Sequence, residues 1–330
     1  MKWDMWDIRG RGFLPENDPI KVIPNVALEG IAKQLPDWIE SRRIREEAVY
    51  HLRRYPVSEA WLRDISPEQS ERALLIYSFL SAAYVYARYE EPAKRLPVEI
   101  ARPLFDLSYR KRRQPILSYA SYCLYNWRRF EPDKPVELGN IELLQNFCHP
   151  DNGKTDEDWF ILIHVDIEAK ASAAMEAIKL PISGPKRTAT IATIHDVSGK
   201  HVRLSLEQLR DSLIGMNATL ARMPEQCSPD KYFHLVRPYI WSFENVEYEG
   251  VLSGPQTFRG ETGAQSSTIP AICGALGIVH KDTVLTQHLS EMREYMPEKH
   301  RNFVALVEKH SSKENFRTFA QGNGSKAHGK

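Results

Sequence analysis

Residues 155–178, TDEDWFILIHVDIEAKASAAMEAI, restrict the fold of this chain more than any other stretch. Thr155 and Asp158 make a capping arrangement at its start, and the run beyond them is too apolar for a helix with a wet face. The spacing therefore predicts a helix enclosed by other helices. Phe160, Ile163, His164, Ile167 and Ala171 fall at i, i+3, i+4, i+7 and i+11, so a histidine and an aromatic ring share one buried face. A histidine so placed is open to two readings, a hydrogen-bonded core residue or a group presented to a ligand.

Helical periodicity extends through most of the chain, and the expected class is all-α. Residues 205–223 carry Leu206, Leu209, Leu213, Met216, Leu220 and Met223 three or four apart, with Ser205 and Gln208 as a capping box and Pro224 as a stop. Residues 69–90 and 284–295 have the same character, and 31–54 is helical with an interruption at Pro36. The exception is 183–203, whose β-branched residues between two Ser-Gly pairs predict a short β-hairpin inserted between helices. The polar, acidic stretch 149–158 divides the chain into a small N-terminal helical domain, 1–148, and a large C-terminal one, 149–330. The tail 321–330 has the composition of a disordered segment.

Charge and cysteine usage remove several function classes. With 44 basic and 43 acidic residues the net charge is +1, which provides no field for nucleic acid or a membrane surface, and the run Arg110–Arg113 has no basic support elsewhere. Four dispersed cysteines without CxxC or CxxCH suit reduced thiols in a cytoplasmic protein and exclude the usual covalent c-type haem attachment. The N-terminus lacks the apolar core of a signal peptide, and no run reaches the length of a membrane span.

Two further stretches carry candidate chemistry. In FRGETGAQSSTIPAICGALGI, residues 258–278, glycines and hydroxyl residues precede an apolar helix with Pro270 in its first turn. The segment reads either as a ligand-facing turn or as a loop with a tidy helix start. A phosphate loop does not fit, because the GK[ST] ending is missing and no strand-like run leads tightly in. In SPDKYFHLVRPYIW, a single helical run over 229–237 would set Tyr232, Phe233 and Arg237 along one pocket edge. Arginine among aromatics suits a planar carboxylate; the alternative is a surface salt bridge with Glu244 or Glu247.

Together these stretches resemble the indoleamine 2,3-dioxygenase family of haem enzymes. The resemblance rests on IAKQLPDWIESRRIRE, AAYVYARYEEPAKRLP, QPILSYASYCLYNW, WFILIHVDIEAKASAA, YFHLVRPYIW, YEGVLSGPQTFRGETGAQSS and MREYMPEKHRNF, which occur in family order over roughly residues 20–320. GAQSS and MPxxHRNF are the specific elements. The resemblance implies an all-helical protein of a small and a large domain holding haem b, and insertion of both atoms of O₂ across the indole C2–C3 bond of L-tryptophan or related indoleamines to give N-formylkynurenine. It implies that Tyr119, Cys123 and Phe160 line the indole pocket, that Phe160 also borders the haem, and that Arg237 holds the substrate carboxylate with Tyr232 and Phe233 beside it. Gly260, Thr262 and Gly263 match the loop passing over haem and substrate. His300 of HRNF matches a characteristic position with a structural role.

Two departures accompany the resemblance. His164 stands where the familiar animal enzymes have serine, similar to the distal histidine of the tryptophan 2,3-dioxygenases, and is the expected catalytic residue, accepting a bond from the indole N–H or orienting it. The family's proximal histidine lies on a long helix well beyond HRNF, whereas the sequence ends thirty residues after His300, so the axial ligand is expected beyond Lys330 and none of His280, His288, His310 and His328 is assigned. Two other functions stay open: a different haem-dependent aromatic oxygenase, such as an indole hydroxylase, or a haem-free, non-catalytic relative.

Overall fold

The computed structural model describes residues 8, 10–88, 90–149, 152–183, 191–312 and 316. Helices dominate, as expected from the periodicity. The first group is α1 (Val26–Glu40), α2 (Ile44–Arg54), α3 (Glu59–Asp64), α4 (Pro67–Val85) and, after the two-residue strand β1 (Arg95–Leu96), α5 (Val98–Arg110). Asn25 caps α1 by accepting the Leu28 N–H at 3.1 Å. Pro36 does not interrupt the helix, contrary to expectation. The carbonyl of Ala32, which Pro36 cannot bond, instead accepts Gln145 Nε2 at 3.0 Å. The break falls at Ser41–Arg43, where Arg42 takes a φ of 58°.

A π-helical turn, Ala120–Leu124, and an antiparallel pair, β2 (Trp127–Arg129) with β3 (Ile141–Leu143), lead to the long helices α6 (Lys154–Ser183) and α7 (Ile191–Leu220). The hairpin expected over 183–203 is not formed: α7 covers 191–203, and residues 184–190 lie outside those described. Ser205 consequently sits inside α7 as a buried residue and starts no helix; the stop near Pro224 is a short 3₁₀ turn, Met223–Glu225, after the helix ends at Leu220. A polar clamp ties α6 to α7. Lys170 Nζ donates to Thr219 Oγ1 at 2.7 Å, Thr219 donates to Asp166 at 2.6 Å, and Lys170 is paired with Asp166.

The remaining segments are α8 (Pro229–Lys231), a π-helical turn Tyr232–Val236, a 3₁₀ turn Arg237–Ile240, the strands β4 (Phe243–Tyr248) and β5 (Pro255–Phe258), then α9 (Thr268–Ala275), α10 (Val284–Met292) and α11 (Glu298–Ser311). The antiparallel hairpin of this chain is thus β4–β5, with β1 joining β4 in parallel. β5 runs directly into Arg259, so a strand does feed the glycine-rich loop. One apolar cluster gathers α1, α2, α4, α5, the first π-helical turn and the early part of α6; another gathers the later part of α6 with α7, α9 and α11. α6 therefore carries side chains into both, which is what its all-round apolar sequence requires. His300 is buried in the second cluster with its ring 4.8 Å from Phe13, in keeping with a structural role.

Candidate functional site

The face of α6 read from the sequence meets two other segments. Phe160 and His164 have ring centroids 4.6 Å apart, Phe160 stacks on Tyr232 at 4.1 Å, and Tyr119 meets His164 edge-on at 6.1 Å. Tyr122 OH reaches Tyr232 OH at 3.4 Å, and Cys123 is buried on the same π-helical turn. The structure thus brings Tyr119, Cys123, Phe160, His164 and Tyr232 into one ring-walled region. Phe233 is not part of it: the ring is 53% exposed and contacts His234 edge-on. Consecutive helical residues point in different directions, so Tyr232 and Phe233 cannot both turn inward.

His164 is fixed in one tautomer. Its Nδ1 lies 2.7 Å from the carbonyl of Phe160, and a carbonyl only accepts, so Nδ1 carries the proton. Burial pushes the pKa below the usual histidine value. The ring is therefore neutral at physiological pH, with the Nε2 lone pair free to accept.

The glycine-rich loop is anchored from inside. Gln265 is buried; its Oε1 accepts the Tyr119 N–H at 2.9 Å, and its Nε2 donates to the Gly260 carbonyl at 2.8 Å. Glu168, one turn beyond His164, accepts from Tyr119 OH at 2.9 Å, Ser266 Oγ at 2.6 Å and Thr268 Oγ1 at 2.7 Å. Burial raises the Glu168 pKa, and these three hydroxyls pull it back down. Two of the loop's hydroxyls therefore serve this carboxylate. Thr262 caps the 3₁₀ turn Gly263–Gln265 by accepting the Ala264 N–H at 3.3 Å, which leaves its own hydroxyl proton available.

The two glycines differ in purpose. A Cβ on Gly260 would stand 2.1 Å from the Ile240 carbonyl oxygen, so the crossing of two backbones by itself requires glycine here. A Cβ on Gly263 would meet nothing within 4 Å, which leaves the open space that a flat group needs. Beside this loop a cavity of about 510 Å³ is bounded by Arg237, Trp241, Ser242, Gly260, Glu261, Thr262 and His288, among others. Arg237 forms no ion pair with Glu244 or Glu247; Glu247 is taken by Arg95 at 3.3 Å. Glu261, Glu168, Gln265 and Tyr122 were missed in the sequence reading. Glu168 had a signal, since it sits at i+4 from His164; Glu261 and Gln265 lie within the glycine-rich stretch itself, and Tyr122 adjoins Cys123, but their partners are set by the tertiary fold.

The open space at Gly263 is compatible with the close approach of a flat prosthetic group. Among the described residues there is no cluster of three or more histidine, cysteine, aspartate or glutamate groups able to hold a metal ion, and no histidine assigned as an axial donor. No helix among them is long and apolar enough to cross a membrane.

A helical chain with stacked rings and a neutral imidazole gathered in one region, and a guanidinium at the edge of a cavity beside the glycine-rich loop, has the build of an enzyme for small aromatic substrates. Comparison with known proteins makes this specific: the chain belongs to the indoleamine 2,3-dioxygenase family, whose model matches residues 2–328. It is 32% identical over 292 residues to indoleamine 2,3-dioxygenase 1 of Mus musculus, an alignment covering 84% of this chain and 66% of that protein. It is 29% identical over 343 residues to an indoleamine 2,3-dioxygenase of Aspergillus nanangensis, covering 97% and 78% of the two chains. It is also 26% identical over 310 residues to a 6-hydroxytryptophan 2,3-dioxygenase of Fusarium equiseti, covering 90% and 71%. The chain spans just under two thirds of the length of the mouse relative.

Proposed function

We propose that this protein is a haem b-dependent dioxygenase that opens the indole ring of L-tryptophan or a related indoleamine to give an N-formylkynurenine product. The observation that carries the reading is the pairing of a neutral, acceptor-competent His164 with the Phe160–Tyr232 stack on a family-matched scaffold. When bound, haem supplies the iron chemistry that activates O₂. Phe160 and Gly263 would border it.

The chain's own contribution is placement. Arg237 at the cavity edge offers two parallel donors to a carboxylate, Tyr119 and Phe160 confine the indole, and His164 Nε2 accepts its N–H, fixing the C2–C3 edge relative to the oxygen source. Tyr119 is itself held by Glu168 through its hydroxyl and by Gln265 through its backbone N–H. The Tyr119 phenol stays protonated because burial raises its pKa far above the ordinary value.

The test is a comparison of L-tryptophan with 1-methyltryptophan, which has no N–H to donate. Replacing His164 with alanine should slow the first substrate more than the second and leave the haem spectrum unchanged. Loss of the haem spectrum in that variant would show His164 to be an iron ligand and would overturn this arrangement. The Fusarium relative's name keeps a hydroxylated tryptophan within the substrate range to be tried.

A further inference from the structure

The cavity beside the glycine-rich loop holds a guanidinium and a carboxyl group that have not found each other. Among the described residues the Arg237 side chain has neither a hydrogen bond nor an ion pair, and the same holds for the Glu261 side chain, although both line the same space. Their neighbours are already engaged. Arg259 bonds Glu291 at 3.0 Å, and Lys94 donates to the Glu244 carbonyl oxygen at 3.1 Å. The Glu261 carboxylate also acts electrostatically on Tyr119, Tyr122, Cys123 and Tyr232, which places it toward the ring-walled region as well as toward Arg237. A half-buried carboxylate without a donor is costly unless something cationic completes it. No described residue does so, since Arg237 is close enough to influence Glu261 but not to pair with it.

We propose that Glu261 is the receptor for the ammonium group of an α-amino acid whose carboxylate is held by Arg237, so that the cavity selects zwitterionic indoles. This rests on the reading of the ligand as an indole amino acid. Arg237 and Glu261 then act as a pair of complementary poles kept apart by the protein until the ligand bridges them. Selectivity follows from chemistry: a ligand lacking either charge leaves one buried pole uncompensated, and a site built around polar groups rejects analogues that leave them unpaired.

The test uses the full chain saturated with haem b and three ligands: L-tryptophan, tryptamine, which lacks the carboxylate, and indole-3-propionate, which lacks the amine. Affinities are read by calorimetry. Glu261→Gln, which keeps the shape and removes the charge, should weaken L-tryptophan and tryptamine by about tenfold or more and leave indole-3-propionate unchanged or tighter. Glu261→Asp should recover part of the amine-dependent affinity, and it supplies the same comparison if the glutamine variant does not fold. Equal losses for all three ligands, or no loss for tryptamine, would overturn the assignment of Glu261 alone. Failure of the unaltered protein to bind any of the three would instead overturn the indole reading on which it depends.

Discussion

Two carboxylates act on Tyr119, and the fold treats them in opposite ways. Glu168 is fully buried and accepts three hydroxyl bonds, while Glu261 borders a cavity with no partner among the described residues. Glu168 is part of the frame: its bonds lash α6, the first π-helical turn and the start of α9 together. Glu261 has been left incomplete. The difference teaches that satisfaction of hydrogen-bonding capacity, more than burial, separates a carboxylate that holds the site from one that receives a ligand.

The largest expected effect breaks the frame. Glu168→Ala would leave the hydroxyls of Tyr119, Ser266 and Thr268 without their acceptor and should cost ~3–5 kcal/mol in a denaturant melt. Glu261→Gln should leave the midpoint essentially unmoved, because burial already pushes the Glu261 pKa up to about 8 and favours its neutral form. A loss in the glutamine variant as large as that of Glu168→Ala would erase the distinction.

Next comes the opposite pole. The Arg237 side chain bonds none of the described residues, so Arg237→Ala should spare stability yet weaken L-tryptophan binding by roughly ten- to a hundredfold in a titration, with a much smaller loss for tryptamine. Comparable losses for both ligands would place Arg237 in the frame with Glu168. His164→Ala should lower L-tryptophan turnover by ~10- to 100-fold, toward the smaller end, because serine-bearing members of the resembled family work without an imidazole.

Smaller still is the pH effect. A carboxyl with a raised pKa must give up its proton to receive an ammonium group, so tryptamine affinity should rise roughly tenfold between pH 6.5 and 8. The charged and titratable groups facing Glu261 are Arg237, Lys94, Glu244, Arg259, His288, Tyr119, Tyr122, Cys123 and Tyr232. Indole-3-propionate should show no such rise. A rise in Glu261→Gln equal to that of the unaltered chain would assign the titration to another of these groups.

Much of the frame was legible in the sequence because it is written in local periodicity. Phe160 and His164 share a helix face at i and i+4, and that face points where the spacing says. Glu168 extends the same face by one more turn, yet a charged residue is easily read as a solvated one when its three hydroxyl partners lie 49 to 100 residues away. Phe233 is expected at the pocket edge from a single helical run over 229–237, against the rule that adjacent helical positions diverge, and its ring is exposed. Over 183–203 the β-branched residues suggest a hairpin, whereas 191–203 belong to the single helix α7, so helical continuity with 204–220 prevails over that local preference. Gly260 also has a requirement set by the Ile240 backbone, a contact no local pattern records.

The reaction itself is tested most directly by incubating the haem-loaded chain with L-tryptophan under ¹⁸O₂ and weighing the product. The proposed placement of one indole by Arg237, Phe160 and His164 predicts N-formylkynurenine with both new oxygens labelled. A hydroxylated indole carrying a single labelled oxygen would contradict dioxygenation.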